Sequence, residues 1–309
     1  MLAAVPAWPH GRCKDHVTGR LIRVTIPSKA LVLSGGGHAG AAWMAGLISA
    51  LGELGTDLGE ADLIVGTSAG SRTGAQLATG VLDQAVGMYR HGEIPAVKVH
   101  ATLPQWVAAS MQIITQAPDE QEAARRIANM RPLGGQLTSN AERYRQIAAL
   151  LPAQQWPRQR LLIVAVDAES GARAAFGAES GASLLDAVAA SCALPGLHPL
   201  ITINGRQYAD GGAYSLYSAD LAAGHDVVIV LSPIPLNDYL QAKLDAETRA
   251  LAPATVHVMI ADEESLAAIG PDANSSDTVP AALKAGIAQA HREIPALREI
   301  WPTPDTRIA

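Results

Sequence analysis

Short apolar runs alternate with longer helix-type patterns along most of the chain. Helical spacing of apolar residues covers residues 41–54, 69–78, 183–191, 236–250, 263–269 and 281–292. The runs between them are continuous rather than alternating, as in strands covered on both faces, and span residues 30–33, 62–65, 161–166, 227–231 and 256–260. This order of elements predicts an α/β fold in which helices flank a parallel sheet.

The pattern predicts one main domain over residues 29–300. Residues 1–28 contain three prolines and no sustained period, so we expect an N-terminal arm there. Residues 301–309 include two further prolines and are expected to form a loose tail. Between about 81 and 151 the patterns are helical and interrupted by prolines and glycines, which predicts a helical insertion.

One helix-type stripe in this insertion has two interpretations. It consists of Leu103, Trp106, Val107, Met111 and Ile114. In the structural interpretation the stripe is a face packed on the core. In the functional interpretation it is a cap or lipid-contacting surface over a functional site. Burial of Trp106 distinguishes the two.

Composition narrows the classes of partner. The 309 residues are 49% apolar, and 23 basic against 29 acidic side chains give a net charge of −6, which does not attract nucleic acid in general. Two cysteines make no disulfide scaffold, and no clustered Cys/His spacing indicates a metal, so we expect no cofactor. The start lacks the pattern of a secretory signal and no run is long enough to span a membrane. We therefore expect a cytoplasmic location, with any membrane contact being peripheral.

Ser68 is the first candidate for chemistry. It lies in Gly66-Thr67-Ser68-Ala69-Gly70, a G-x-S-x-G motif that follows an apolar strand and precedes a helix. This is the context in which a sharp turn exposes a nucleophilic serine. Gly66 and Gly70 allow the backbone strain and close packing that such a turn requires. A tight structural turn is the alternative interpretation of the motif by itself.

A glycine-rich turn follows the first predicted strand, in Ser34-Gly35-Gly36-Gly37-His38-Ala39-Gly40. Free backbone N–H groups at such a helix start favour negative charge, so the loop is a candidate oxyanion hole. The same residues satisfy G-x-G-x-x-G, which makes dinucleotide binding an alternative. That fold would need an acidic residue at the end of the second strand, where Ser68 and its glycines stand instead.

A nucleophilic serine needs a base, and Asp210 is the better candidate than any histidine. It begins Asp210-Gly211-Gly212, whose glycines leave the carboxylate little covered. An ordinary Asp-Gly hairpin turn is the plainer interpretation. His38, His198, His225 and His257 are more typical of structural positions. A Ser-His-Asp triad of Ser68, Asp167 or Asp210, and His225 or His257 remains a separate hypothesis.

The glycine loop, serine turn and Asp-Gly-Gly occur here in an order that resembles the patatin-like phospholipase family. The similarity extends over about residues 29–231 and includes the Ala-Ser-rich stretch 189–196. It implies a three-layer α/β/α fold with a mostly parallel sheet and a Ser-Asp dyad without histidine. Ser68 would be the nucleophile and Asp210 its base. Oxyanion donors would come from Gly35, Gly36 and Gly37, while Gly40, Gly66, Gly70, Gly211 and Gly212 would support the motifs.

The resemblance implies a serine lipid acyl-ester hydrolase. A lysophospholipase, a phospholipase A and a general acylglycerol esterase all fit, with a lipid or fatty-acyl ester as substrate. Many family members carry Arg or Lys where this chain has Ala39, which removes a cation that could face a lipid phosphate. The alternatives are a triad esterase, or a non-catalytic module that binds nucleotide or lipid through the glycine loop.

Overall fold

The computed structural model describes residues 27–95, 100–153 and 155–301. Within these ranges the strands are β1 (Lys29–Leu33), β2 (Leu63–Thr67), β3 (Arg160–Asp167), β4 (Arg173–Phe176), β5 (Ile201–Ile203), β6 (Arg206–Asp210), β7 (Val227–Ser232) and β8 (Thr255–Ile260). The α-helices are α1 (Gly37–Glu53), α2 (Ala69–Ala78), α3 (Leu82–Arg90), α4 (Leu103–Gln116), α5 (Glu120–Ala128), α6 (Asn140–Leu150), α7 (Leu184–Ser191), α8 (Asp238–Arg249), α9 (Glu263–Ile269) and α10 (Val279–Ile300).

The strands form a single eight-stranded sheet with the order β5-β6-β3-β2-β1-β7-β8, and β4 pairs with β3 outside this path. The central neighbours β3, β2, β1, β7 and β8 are parallel, whereas β4, β5 and β6 are antiparallel additions. The predicted α/β class with a mostly parallel sheet is confirmed. β1 lies between β2 and β7, so the chain reverses its direction of winding there, and ligands bind outside the carboxyl ends of the strands at such a point.

Both faces of the central strands are covered, which makes three layers. In β1, Leu31 and Leu33 pack into the cluster formed with α1, α2 and α10, while Ala30 and Val32 pack into the cluster on the other face. This is why the runs are continuously apolar rather than alternating. None of the described helices is both long enough and apolar enough to cross a bilayer.

The strands β4, β5 and β6 were not predicted from the sequence. β5 and β6 form a hairpin whose two turn residues, Asn204 and Gly205, have φ of 51° and 78°. Asn-Gly favours this turn because both central residues need positive φ, so the signal was present in the sequence. Its consequence is that Asp210 ends a strand of the sheet and does not lie in a hairpin turn.

The predicted helical insertion, residues 81–151, contains the helices α3 to α6. The residues described within it, 81–95 and 100–151, form no strand. Trp106 is buried, which matches a stripe packed on the core, although the same helix also borders a cavity described below.

Two residues just outside the expected borders of the domain, Ser28 and Trp301, make contacts with it. Ser28 donates to Asp226 Oδ2 from its backbone N–H over 2.7 Å, and Trp301 is buried with its indole N–H donating to the Asp57 carbonyl over 2.9 Å. Both residues therefore belong to the packed structure. The rest of the expected arm, up to residue 26, and of the tail, from residue 302, lies outside the described residues.

Candidate active site

Ser68 occupies the turn between β2 and α2 in a strained backbone conformation, with φ 53° and ψ −117°. A Cβ on Gly70 would lie 2.0 Å from the Leu33 carbonyl oxygen, and one on Gly66 would lie 2.6 Å from the Gly70 carbonyl oxygen. Backbone atoms cannot move aside as a flexible side chain can. Gly66 and Gly70 therefore allow the turn to pack against the end of β1, as the motif predicted, and Ser68 is raised at the end of the sheet.

Hydrogen bonds from the end of α7 hold this turn in place. The Ser68 N–H donates to Ser191 Oγ over 2.9 Å, and the Ser68 carbonyl accepts from the Cys192 thiol over 3.2 Å. The Ser71 hydroxyl donates to the same carbonyl over 2.7 Å. Burial raises the pKa of Cys192, so the thiol keeps its proton and remains a donor. Neither Ser191 nor Cys192 had a predicted role, although both lie in the Ala-Ser-rich stretch 189–196.

The glycine-rich turn lies beside Ser68 and begins α1. Gly37 has φ +65°, and a Cβ there would lie 2.5 Å from the Ala273 carbonyl oxygen. A Cβ on Gly36 would meet Pro233 Cγ at 2.3 Å, and one on Gly40 would meet the same atom at 2.7 Å. Close packing against two other loops therefore requires these glycines.

The backbone amides of this turn do not all remain free. The Gly35 N–H donates to the Leu216 carbonyl over 3.0 Å, which corrects the expectation that it is an oxyanion donor. The N–H groups of Gly36 and Gly37 have no hydrogen-bond partner in the described ranges. Both glycines border the same cavity as Ser68, so these two amides are the ones available to a ligand.

The sheet register brings Asp210 to the level of Ser68. Asp210 pairs with Ala165 on β3, and the preceding β3 residue, Val164, pairs with Thr67 on β2. Ser68, which follows Thr67, therefore lies at the level of Ala165, across β3 from Asp210. A Cβ on Gly211 would lie 2.6 Å from the Val164 carbonyl oxygen, so the chain can cross this strand only at a glycine.

The Asp210 carboxyl group is almost completely buried, with 1% of the residue exposed. Burial raises its pKa to about 6, while the nearby Ser68 hydroxyl, the Gly212 N–H and the charge of Arg143 act in the opposite direction. The Gly212 N–H donates to Oδ1 over 2.8 Å. Oδ2 has no partner in full hydrogen-bond geometry, so the Ser68 hydroxyl is close enough to affect the carboxyl group but is not ideally aligned with it.

A cavity of about 560 Å³ opens beside these groups. Ser68, Asp210 and the three glycines of the turn border it. Its remaining walls are mainly apolar and include Trp106, Val107, Met111, Ile114, Leu216, Ile234, Leu240 and Ile269. The helix-type stripe on α4 therefore packs on the core through Trp106 and also lines this cavity.

The residues of the alternative triad do not come to Ser68. His225 precedes β7 at the amino end of the parallel strands, whereas Ser68 follows the carboxyl end of β2. His257 lies within β8 with Nε2 3.7 Å from Glu293, and Asp167 is paired with Arg206 over 2.7 Å. None of the three borders the cavity. The histidines that do lie near Ser68 are His38 and His198, whose pKa values burial lowers well below the usual value.

Together the fold and the site define an α/β protein in which a strained serine and a buried carboxyl group border one mainly apolar cavity. The family model for patatin-like phospholipase matches residues 31–223, which is more than half of the chain. The chain belongs to the patatin-like phospholipase family, as the motifs predicted, and membership supports lipid acyl hydrolase activity. Among curated proteins, none matches the sequence significantly.

Solved structures similar to this chain include VipD from Legionella pneumophila, with 14% identity, a TM-score of 0.39, and coverage of 87% of this chain and 67% of that one. A human GIVD cytosolic phospholipase A2 in complex with methyl γ-linolenyl fluorophosphonate has 11% identity, a TM-score of 0.46, and coverage of 89% and 59%. The type III effector protein ExoU has 15% identity, a TM-score of 0.38, and coverage of 87% and 54%. The chain thus spans between about half and two thirds of the length of these proteins.

Proposed function

We propose that this protein is a serine lipid acyl-ester hydrolase with a Ser68–Asp210 dyad. The observation that carries the proposal is that a strained serine and a buried carboxyl group border the same mainly apolar cavity. A buried carboxylate is costly to maintain, and a fold retains one mainly where it is paired or reactive. Here it lies beside a serine that needs a base.

The proposed mechanism moves one proton between the two residues. As Ser68 Oγ attacks the ester carbonyl, its proton passes to Asp210, and the carbonyl oxygen acquires a negative charge. Collapse of this intermediate breaks the ester bond, and Asp210 returns the proton to the departing alcohol. The ionised carboxylate then takes a proton from water, whose oxygen attacks the acyl-enzyme, and the fatty acid leaves as Ser68 recovers its proton.

Burial makes a carboxylate an effective base here without a histidine. An ordinary aspartate is a weak base near neutral pH, but desolvation raises the pKa of Asp210 to about 6. That value is close to the pKa of a catalytic imidazole. A bound acyl chain would exclude more water and strengthen the interaction between the Ser68 hydroxyl and the carboxylate, because hydrogen bonds that are loose in a free enzyme tighten in the complex.

The negative charge on the intermediate would be stabilised by the amides of Gly36 and Gly37. They lie at the start of α1, a helix of 17 residues whose dipole adds positive potential at this end. Loss of one such donor typically costs about 3 to 4 kcal/mol of transition-state stabilisation. The apolar cavity would hold the fatty-acyl chain, because burial of its methylene groups supplies about 0.8 kcal/mol each.

The proposal is tested by labelling and by turnover. A fluorophosphonate should label the wild-type protein at Ser68 and should not label Ser68→Ala. A p-nitrophenyl acyl ester should give burst release with wild type and no release above background with Ser68→Ala or Asp210→Asn. The matched control is Ser276→Ala, which changes an exposed serine outside the cavity and should keep full activity.

The outcomes separate this hypothesis from its alternatives. A protein that stays unlabelled and inactive favours a non-catalytic module that binds ligand through the glycine turn. Turnover that survives in both Ser68→Ala and Asp210→Asn refutes the dyad. Loss of activity in His225→Ala or His257→Ala with folding intact would favour the triad. We expect membrane contact, if present, to be peripheral and a cytoplasmic location.

A further inference from the structure

A second, smaller cavity of about 50 Å³ also borders Ser68, and its walls are polar. The side chains come from α1, α2, α6 and the segment that follows α7. They include His38, Arg72, Arg143, Cys192 and His198. Ser68 therefore lies between an apolar cavity and a polar one, and the mechanism proposed above uses only the first.

Two arginines in this polar pocket are buried without an acidic partner. Arg72 is 3% exposed and Arg143 is 5% exposed. Among the described residues, neither guanidinium lies within ion-pair distance of a carboxylate. The cost of burying such a charge is high unless it is paired.

Hydrogen bonds within the protein satisfy these arginines only in part. Arg72 Nη1 lies 3.4 Å from His38 Nδ1, while its Nε and Nη2 have no partner. Arg143 donates to the Cys192 carbonyl over 2.7 Å and to Gln146 Oε1, while its Nε has no partner. His198 Nδ1, also buried, is unpartnered as well. Four buried nitrogen atoms around one small cavity therefore have no hydrogen-bond partner: Nε and Nη2 of Arg72, Nε of Arg143 and Nδ1 of His198.

The other titratable groups around the pocket do not neutralise this charge. Burial and the two arginines lower the pKa of His38, and burial with Arg143 lowers that of His198, so both rings are neutral. Burial raises the pKa of Cys192, which keeps the thiol protonated. Asp210 attracts Arg143 without forming an ion pair with it. The amino ends of α1 and α2 add positive potential from Gly37 and Ala69, which also border the pocket.

We propose that this polar pocket is an anion subsite, in which Arg72 and Arg143 bind a compact phosphate or carboxylate group of the substrate. Its role in catalysis rests on the proposed function, whereas the binding of an anion does not. An acyl chain in the apolar cavity and an anion in the polar one would place the ester between them, at Ser68. The guanidinium groups offer the several N–H donors that a phosphate or carboxylate requires.

The size of the pocket limits the ligand. A cavity needs about 10 to 15 Å³ to hold one water molecule. A cavity of about 50 Å³ therefore fits a phosphate or carboxylate group but not a bulky headgroup attached to it. We expect a single-chain lipid with a terminal phosphate to be a better substrate than the same lipid with phosphocholine.

Binding of the anion is tested first, with inorganic phosphate as the probe. Phosphate should raise the Tm of wild type in a concentration-dependent manner, since a ligand of the native state stabilises it. It should raise that of Ser68→Ala equally, because that variant keeps both arginines. Arg72→Gln and Arg143→Met should lose most of this rise. Arg145→Met is the matched control, since Arg145 lies exposed on α6 beside Arg143 and should respond as wild type does.

The second test distinguishes a substrate headgroup from a free anion. We compare kcat/KM for 1-oleoyl lysophosphatidic acid and for 1-oleoylglycerol, which share an acyl chain and differ in the phosphate. The ratio should favour the phosphate ester in wild type and in Arg145→Met, and should fall about tenfold or more in Arg72→Gln, as loss of one charged hydrogen bond of about 1.5 to 3 kcal/mol predicts.

Each result decides one part of the proposal. If phosphate fails to raise the Tm of wild type, the anion subsite is overturned. If phosphate binds and the substrate ratio stays the same in the arginine variants, the occupant is a free anion and the headgroup assignment is wrong. If phosphate stabilises the protein but wild type hydrolyses no ester, the proposed function fails and the anion site stands. Arg72→Lys keeps the charge and gives a second variant if Arg72→Gln does not fold.

Discussion

The backbone N–H of Ser68 donates a hydrogen bond to the hydroxyl of Ser191, 123 residues later in the chain, over 2.9 Å. The strained turn at Ser68 is thereby attached to the last residue of α7. At the same end of α7, the Cys192 thiol donates to the Ser68 carbonyl. The N–H and the carbonyl of Ser68 are therefore both hydrogen-bonded to the end of one helix. Strain in a turn persists only where neighbouring structure holds it in this way.

Removal of the Ser191 hydroxyl should therefore impair the turn. Ser191→Ala leaves the Ser68 N–H without its acceptor in a partly buried site, which costs about 1 to 3 kcal/mol in unfolding free energy. We expect kcat to fall by about tenfold as Ser68 loses its position, with a smaller change in KM. Urea unfolding and steady-state kinetics measure the two effects. An unchanged kcat together with lowered stability would assign the bond a purely structural role.

The activity should depend on the ionisation of Asp210. The proposed base acts only as a carboxylate, and its pKa lies at about 6 in the folded protein. The value of kcat/KM should rise with pH, about tenfold per unit on the acidic side, and reach a plateau above about pH 7. A pH profile with a soluble p-nitrophenyl ester measures this. A plateau that already extends down to pH 5 would contradict the raised pKa.

The same group should make the protein less stable as the pH rises. The pKa of Asp210 is about 6 in the folded state against 3.8 for an ordinary aspartate, so the native state binds more protons than the unfolded state between these values. Stability is therefore lost through this window, by about 3 kcal/mol in total. Asp210→Asn should be more stable than wild type by up to that amount at pH 8 and by none below about pH 4. Urea unfolding at both values measures the difference, and equal gains at both would contradict it.

Two glycines should respond to alanine in opposite ways. A Cβ on Gly70 would lie 2.0 Å from the Leu33 carbonyl oxygen, so Gly70→Ala should prevent correct folding of the serine turn. Gly87, within α3, has no atom within 4 Å of the position of its Cβ. Gly87→Ala should therefore stabilise the protein by about 0.5 to 1 kcal/mol through helix propensity. Solubility and Tm of the pair measure this, and a stable Gly70→Ala would show that the turn can relax.

Filling the apolar cavity should shorten the acyl chain that the protein accepts. Met111 lies on the cavity side of α4. Met111→Trp adds volume to that wall, so kcat/KM for a p-nitrophenyl palmitate should fall about tenfold or more relative to that for the butyrate. Gln112→Trp, at an exposed position of the same helix that does not line the cavity, is the control and should leave this ratio unchanged. An unchanged ratio in Met111→Trp would place the acyl chain elsewhere.

Local chemistry accounts for the parts of the fold that the sequence predicted. The strand before Ser68, the glycines around it and the helix after it lie within a few residues of one another, so their pattern is visible in a short window. The same holds for the turn at Gly36 and Gly37. By contrast, β5 and β6 are short and were overlooked despite the Asn-Gly signal between them. The partner of the Gly35 amide, Leu216, is 181 residues away and has no local signal.

The amino-acid sequence by itself determined the α/β class, the serine turn and the order of motifs that marks the family, because these depend on period, propensity and glycine placement along a continuous segment. Only the tertiary structure decided that the Gly35 amide is occupied, that α4 lines the cavity, and that Arg72 and Arg143 are buried together beside Ser68. Those relationships join segments far apart in the chain, and they arise from sheet register and helix packing, which no single segment encodes.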